Sequence, residues 1–231
     1  MTTPIFEVQG LNQSYADSCF VLKDISLKID SGEIVGLIGK NGAGKTTLLE
    51  TLANLEKKAS GACYYKGRLV NRSFYQNSLG YLPTELNLYE YLTLKENLSF
   101  IFDVRGQNYN ESWVNEMLAA FELDASLEVP LVELSKGMRL KFNLIVTLIH
   151  QPDILLLDEP FEGIDPAQAI VLKQILKNQA QLGKGILLSS HILSYIVDIC
   201  DRIYFIKEGQ LLTELTAPST MTITDIEKLF Y

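Results

Sequence analysis

Ile34-Val-Gly-Leu-Ile38 runs directly into Gly39-Lys40-Asn41-Gly42-Ala43-Gly44-Lys45-Thr46-Thr47, and Leu48, Leu49, Leu52 and Leu55 follow at helical spacing. The first five residues do not alternate with polar ones, as expected of a strand buried on both faces of a parallel sheet. The leucines, with Thr47, predict a helix whose apolar stripe packs back on that sheet. Between strand and helix the pattern GxxxxGK[ST] puts glycines where the backbone must turn tightly and approach a ligand. Its N–H groups and the positive end of the new helix suit a polyphosphate. Lys45 is placed to reach β- and γ-phosphate oxygens, and the Thr46 hydroxyl to ligate Mg²⁺. A Gly-rich turn before an ordinary helix is the plain alternative. Strand, loop and helix in this order predict instead that residues 39–47 hold ATP with Mg²⁺.

Ile154-Leu-Leu-Leu157 is another unbroken apolar run, and it ends on Asp158-Glu159. Carboxylates at the C-terminal end of a buried strand emerge where open α/β sheets bind ligands. Asp158 is positioned for Mg²⁺, directly or through water. Glu159 is the candidate to polarise the attacking water, because phosphoryl transfer needs an in-line nucleophile and charge neutralisation more than covalent chemistry. Taken alone, the pair also reads as a solvated acidic loop; the phosphate loop upstream ties it to ATP.

Around these runs the chain reads as mixed α/β. Ile186-Leu-Leu188 is a third buried strand. Phe6 and Val8, then Ile25, Leu27 and Ile29, alternate with polar residues, and Tyr64 to Leu69 turns at Lys66-Gly67. An antiparallel lobe is therefore expected beside the parallel sheet. From about Glu85 to His150 strand signals fade. Thr93-Leu-Lys-Glu96 is a capping box, and Trp113, Met117, Leu118 and Phe121 recur at helical spacing. The division this suggests is a catalytic core with its antiparallel lobe over 1–84 and 151–231, and an inserted helical subdomain over 85–150. After the strand Arg202 to Ile206 and the turn Glu208-Gly209, a short helix capped at Thr224 is expected.

With 231 residues, 47% of them apolar, the chain can bury a full core. Its net charge of -8 gives no overall attraction to nucleic acid, so no nucleic-acid partner is expected. Cys19, Cys63 and Cys200 are odd in number, far apart and without metal-ligand spacing, which points to a reducing cytosol rather than to disulfides or zinc. Met1-Thr-Thr-Pro4 has no leader character, and apolar stretches are broken well short of the ~18 residues that span a bilayer. Any membrane role is expected to come through a partner.

Leu134-Ser135-Lys136-Gly137-Met138 lies shortly before the acidic strand. It resembles the signature of the ABC ATPases, usually LSGGQ, in a form similar to the SKGM variant of some exporter ATPases. The resemblance covers nearly the whole chain. Tyr15 matches the adenine-stacking aromatic, Gly163-Ile-Asp165-Pro166 the D-loop, and Ser189-Ser190-His191 the switch histidine. It implies a P-loop NTPase fold, with a RecA-like core, an antiparallel β-subdomain and an inserted α-helical subdomain.

The same resemblance implies a head-to-tail dimer with a second copy or a homologous ATPase subunit. Each ATP would be bound by Tyr15, residues 39–47 and Asp158 of one chain and by Ser135 and Gly137 of the other, with Asp165 coordinating the two sites. Glu159, His191 and Lys45 carry catalysis, and Thr46 and Asp158 hold the metal. Integral membrane permease subunits are implied as partners, docked near residues 85–102, and with them a place at the cytoplasmic face of a membrane. On their own chemistry, Tyr15 also reads as an edge aromatic, Ser135 as a helix cap, Asp165 as a turn residue and His191 as a loop histidine. His150 reads as structural.

Two positions depart from the family pattern. After Leu79 to Pro83, where Gln is usual, stand Thr84 and Glu85, a hydroxyl and a carboxylate in place of an amide. Lys136 and Met138 replace Gly and Gln in the signature, adding a positive charge near the implied γ-phosphate. The signature form and short C-terminus resemble exporter ATPases of the drug or bacteriocin type more than importers. Two alternatives stay open: a cassette that closes on ATP with little hydrolysis, and a soluble ABC ATPase acting on ribosomes or DNA.

Overall fold

The computed structural model describes residues 3–14, 21–84, 88–106, 111–216, 218 and 223–228. Two long strands come first, β1 (Phe6–Ser14) and β2 (Val21–Ile29), whose alternating Phe6, Val8, Ile25, Leu27 and Ile29 are buried. β3 (Ile34–Ile38), buried at every residue, leads through the phosphate loop into α1 (Lys45–Leu52). β4 (Ser60–Tyr65) and β5 (Arg68–Leu69) form the expected hairpin, and α2 (Arg72–Asn77) leads to β6 (Leu79–Leu82). Three helices follow, α3 (Leu94–Arg105), α4 (Glu111–Ala120) and α5 (Lys136–Leu148). The chain then returns through β7 (Ile154–Leu157), α6 (Pro166–Gln181), β8 (Gly185–Ser190) and the short α7 (Leu193–Val197). It ends with the hairpin β9 (Arg202–Lys207) and β10 (Gln210–Thr216), then α8 (Ile223–Lys228).

The strands form two sheets. One is antiparallel, in the order β2-β1-β4-β5; the other runs β10-β9-β3-β8-β7-β6 and is parallel except for β10. Alternation along the parallel strands sorts their apolar residues to two faces. Val35, Leu37, Leu156 and Leu187 pack with Leu48, Leu49 and Leu52 of α1 and the inner face of the antiparallel sheet. Ile34, Ile38, Leu155, Leu157 and Leu188 pack with α6 and the helices α3 to α5. A sheet covered on both sides explains why these strands read as unbroken apolar runs. Each such leucine or isoleucine contributes about 1.5–3 kcal/mol by burial, which makes this layer a firm platform for the loops at its edge.

Local signals set most helix ends. Thr93 Oγ1 accepts from the Glu96 amide at 3.1 Å while the Glu96 carboxylate accepts from the Thr93 amide at 2.8 Å, the reciprocal pair read from sequence. Buried Asn97 accepts from the Tyr89 amide and donates to the carbonyls of Tyr89, Leu92 and Thr93, which pins the loop entering α3. Two expectations are corrected. Leu55 does not share the stripe of α1: the helix stops at Leu52, Asn54 takes φ +61°, a left-handed turn that Asn tolerates, and Leu55 is exposed. Thr224 does not cap the last helix; α8 starts at Ile223, and a residue inside a helix cannot be its N-cap.

Candidate nucleotide-binding site

Strand register brings the separate motifs to one edge of the parallel sheet. Ile38 lies beside Ser190 and Leu157 beside Leu188, so the residues that follow β3, β7 and β8 emerge together at the strands' C-terminal ends. The loop after β3 passes tightly against β9: a Cβ on Gly39 would stand 2.5 Å from the Ile206 carbonyl oxygen. The Ala43 amide donates to the Lys40 carbonyl at 3.0 Å, and the Gly209 amide to the Ala43 carbonyl at 3.0 Å, which ties the loop to the β9–β10 turn. Gly44 takes φ +110° at the head of α1, and no side chain caps that helix. Its first-turn N–H groups thus remain available to an anion. Lys45 is buried, donates to the carbonyls of Gly39 at 2.8 Å and Lys40 at 3.4 Å, and lies 3.4 Å from Glu159 Oε1.

Asp158 is fully buried and held by three hydroxyls. Its Oδ2 accepts from Thr46 at 2.7 Å and Thr84 at 3.0 Å, and its Oδ1 from Ser189 at 2.6 Å. Hydrogen bonds to a carboxylate are the strong kind, so the orientation of Asp158 is firmly set. Glu159 takes φ +48°, a conformation sparsely populated by residues other than glycine. It is kept there by its own amide donating to Ser189 Oγ at 2.9 Å and by its carboxylate accepting from the His191 amide at 3.2 Å. His191 Nδ1 lies 3.0 Å from the same Oε2, so in the Nδ1-protonated tautomer the imidazole also donates to it.

Gly44, Lys45, Thr46, Glu159 and His191 line an open cleft of about 600 Å³ together with Asn41, Gly42, Thr47, Thr84 and Glu162, and Asp158 is buried behind Thr46. Of the residues singled out by sequence, the 39–47 loop, Asp158, Glu159 and His191 are gathered here. Ser135, Gly137 and Asp165 are not. Ser135 accepts from the Met138 amide and Asp165 from the Gln168 amide, so both side chains serve as helix caps, and Gly137 sits against the Gly163 carbonyl. Tyr15 and Glu85 lie outside the described residues.

Sequence reasoning missed two participants, Ser189 and Glu162. Ser189, read only as a neighbour of His191, bridges the two acidic residues; its signal was a hydroxyl ending a buried strand. Thr84, whose hydroxyl the sequence offered where Gln is usual, donates it to Asp158 at 3.0 Å, and Glu162 gave no signal of its own. His150 stands apart: its Nε2 donates to the Leu79 carbonyl at 2.9 Å, and burial, reinforced by Arg105, lowers its pKa to about 4.

A parallel sheet with a phosphate loop after one strand and an acidic pair closing another defines a P-loop nucleoside triphosphatase. The model of the ABC transporter family matches residues 22–162, and the chain belongs to that family. It is 32% identical over 210 residues to the lantibiotic transport ATP-binding protein SrtF of Streptococcus pyogenes, covering 91% of this chain and 90% of that protein. It is 30% identical over 235 residues to the lipopolysaccharide export system ATP-binding protein LptB of Haemophilus influenzae, covering 98% and 96%. A solved ATP-binding subunit of an ABC transporter superposes with a TM-score of 0.83 at 30% identity, over 97% of this chain and 92% of that one. The α/β fold and the ATP-binding cassette inferred from sequence are both borne out.

Proposed function

We propose that this chain hydrolyses ATP with Mg²⁺ as the motor subunit of an ABC exporter, working as a head-to-tail dimer beneath separate membrane permease subunits. One observation carries the reading. Lys45, Thr46, Asp158, Glu159 and His191 converge on one cleft, while Ser135 and Gly137 of the signature stay outside the cleft of their own chain. Phosphates seated on the amides of residues 42–47 draw Lys45 away from Glu159. The released carboxylate, held by the backbone and ring of His191, then orients the water and takes its proton. Thr46 and Asp158 place two hard oxygen donors side by side, a set that fits Mg²⁺. When bound, the ion supplies charge neutralisation at the β- and γ-phosphates.

The second copy, or a homologous subunit, contributes Ser135, Gly137 and the N-terminal end of its α5, with Asp165 at the seam and Tyr15 stacked on the adenine. The catalytic core takes 1–84 and 151–231 and the helical subdomain 85–150. Tyr89, Tyr91 and Phe100 are exposed on that subdomain and mark the permease-docking face near 85–102. Among the described residues no helix is long and apolar enough to cross a membrane, which supports attachment at the cytoplasmic face through that partner. Export is favoured because relatives similar over nearly the whole chain carry the names lantibiotic transport and lipopolysaccharide export. The acidic charge balance speaks against a nucleic-acid partner.

Mg-dependent ATPase activity of the purified chain, measured beside Glu159→Gln, tests this. The variant is expected to lose about 100-fold or more in kcat and to elute as a dimer from a sizing column in ATP. If neither protein binds ATP and the variant stays monomeric, the reading fails.

A further inference from the structure

Lys136, which departs from the usual signature, has an acidic partner in its own chain. It is the first residue of α5, and its Nζ lies 3.6 Å from Glu162 Oε1. Its Cδ and Cε lie over Gly163, where a Cβ would meet them at 3.4 Å, and a Cβ on Gly137 would stand 3.3 Å from the Gly163 carbonyl oxygen. Gly163 takes φ +79°, a left-handed conformation that favours glycine. The first turn of α5 is therefore seated on the loop that follows β7 by an ion pair and two contacts at glycines. Glu162 is also a wall of the phosphate cleft, and its amide donates to the Glu159 carbonyl at 3.0 Å. One ion pair thus joins a chain's nucleotide cleft to that same chain's signature helix.

We propose that Lys136 and Glu162 are positioning residues that report occupancy of a chain's own cleft to its own signature. The proposal rests on the reading of the cleft as the ATP site and of the signature as the element completing the second copy's cleft. Polyphosphate entering the cleft brings negative charge beside Glu162, which repels the carboxylate and attracts the Lys136 ammonium. The pair is re-set, and the helix turn seated on Gly163 moves with it. Both side chains are well exposed, so the pair contributes little to folding, and its removal leaves a folded protein to measure. An exposed pair of this kind shifts an equilibrium by up to about five-fold.

The test is backbone amide hydrogen exchange on the whole chain, at a concentration where a sizing column shows monomer, with and without Mg²⁺ and a non-hydrolysable ATP analogue. In the parent, nucleotide protects residues 39–47 and changes exchange at 136–140. In Lys136→Met the protection of 39–47 remains while the response at 136–140 shrinks by up to about five-fold, and in Glu162→Gln that response shrinks likewise. The reversed pair, Lys136→Glu with Glu162→Lys, restores it. Protection of 39–47 in the parent with no response at 136–140 overturns the pair's role and leaves the ATP site standing. So does a reversed pair no better than the single variants, or a response seen only once dimer forms. No protection at either segment overturns the ATP reading and this proposal together.

Discussion

Removing one hydroxyl, in Ser189→Ala, should damage the site more than its place as a neighbour of His191 suggests. Ser189 is fully buried; its Oγ donates to Asp158 at 2.6 Å and accepts from the Glu159 amide at 2.9 Å. The substitution deletes a hydrogen bond to a charged group, about 1.5–3 kcal/mol, and leaves an N–H unpaired, about 1–3 kcal/mol more. The low end applies, because water from the adjoining cleft can reach the vacated donor, so a loss of about 2.5 kcal/mol is expected. Thr46 and Thr84 still hold Asp158 Oδ2, so ATP affinity changes little. Glu159 fares worse: its backbone at φ +48° loses the bond that fixes it, and its carboxylate drifts from the attack position. A misplacement of about 1 Å costs about 100-fold, so kcat should fall on that scale while KM moves less. Urea unfolding and steady-state ATPase assays read both quantities. Stability within about 0.5 kcal/mol of the parent, the range of a neutral surface change, would refute the tethering argument, as would a kcat within a few-fold.

His150 predicts a pH effect of definite sign. Its folded pKa of about 4 lies below the ordinary 6.5, so the unfolded chain takes up the proton first as pH falls. Its contribution is therefore fully present above pH 6.5 and is lost as pH drops toward 4, by no more than about 1.4 kcal/mol per pH unit; urea midpoints of His150→Gln across that range should show the shallower slope. Arg202 is buried and binds Glu33 at 2.7 Å, Glu214 at 2.7 Å and Asp30 at 3.3 Å, joining the turn after β2 to the β9–β10 hairpin. Arg202→Met should cost about 3–5 kcal/mol by stranding Glu33, and pairing it with Glu33→Gln should recover part of the loss; chemical denaturation of the single and double variants decides.

Which parts were legible in sequence follows from the range of the interactions that make them. The phosphate loop is local: Gly39, Gly44 and Lys45 act through their own backbone and the helix they begin, so a short string states their geometry. The Thr93–Glu96 box and the Ser135 cap are equally local and fell where expected, whereas Asp165, read as a turn residue, caps α6. Leu55 misled because a periodic apolar position says nothing of the left-handed Asn54 that ends the helix before it. The acidic site is different in kind. Asp158 follows β7 and Ser189 lies in β8, with the whole of α6 between them in sequence, and only the register that sets Leu157 beside Leu188 makes the serine a bridge from the Asp158 carboxylate to the Glu159 amide. Thr84 reaches the same carboxylate because Leu82 pairs with Leu157. The motif residues are those whose proposed partner is the nucleotide, and they can be read singly. Ser189, Thr84 and Glu162 have protein atoms as partners, and only the assembled sheet edge names them. It follows that substitutions at the first group should weaken ATP binding or chemistry directly, whereas those at the second should act through the placement of Asp158, Glu159 and Lys136.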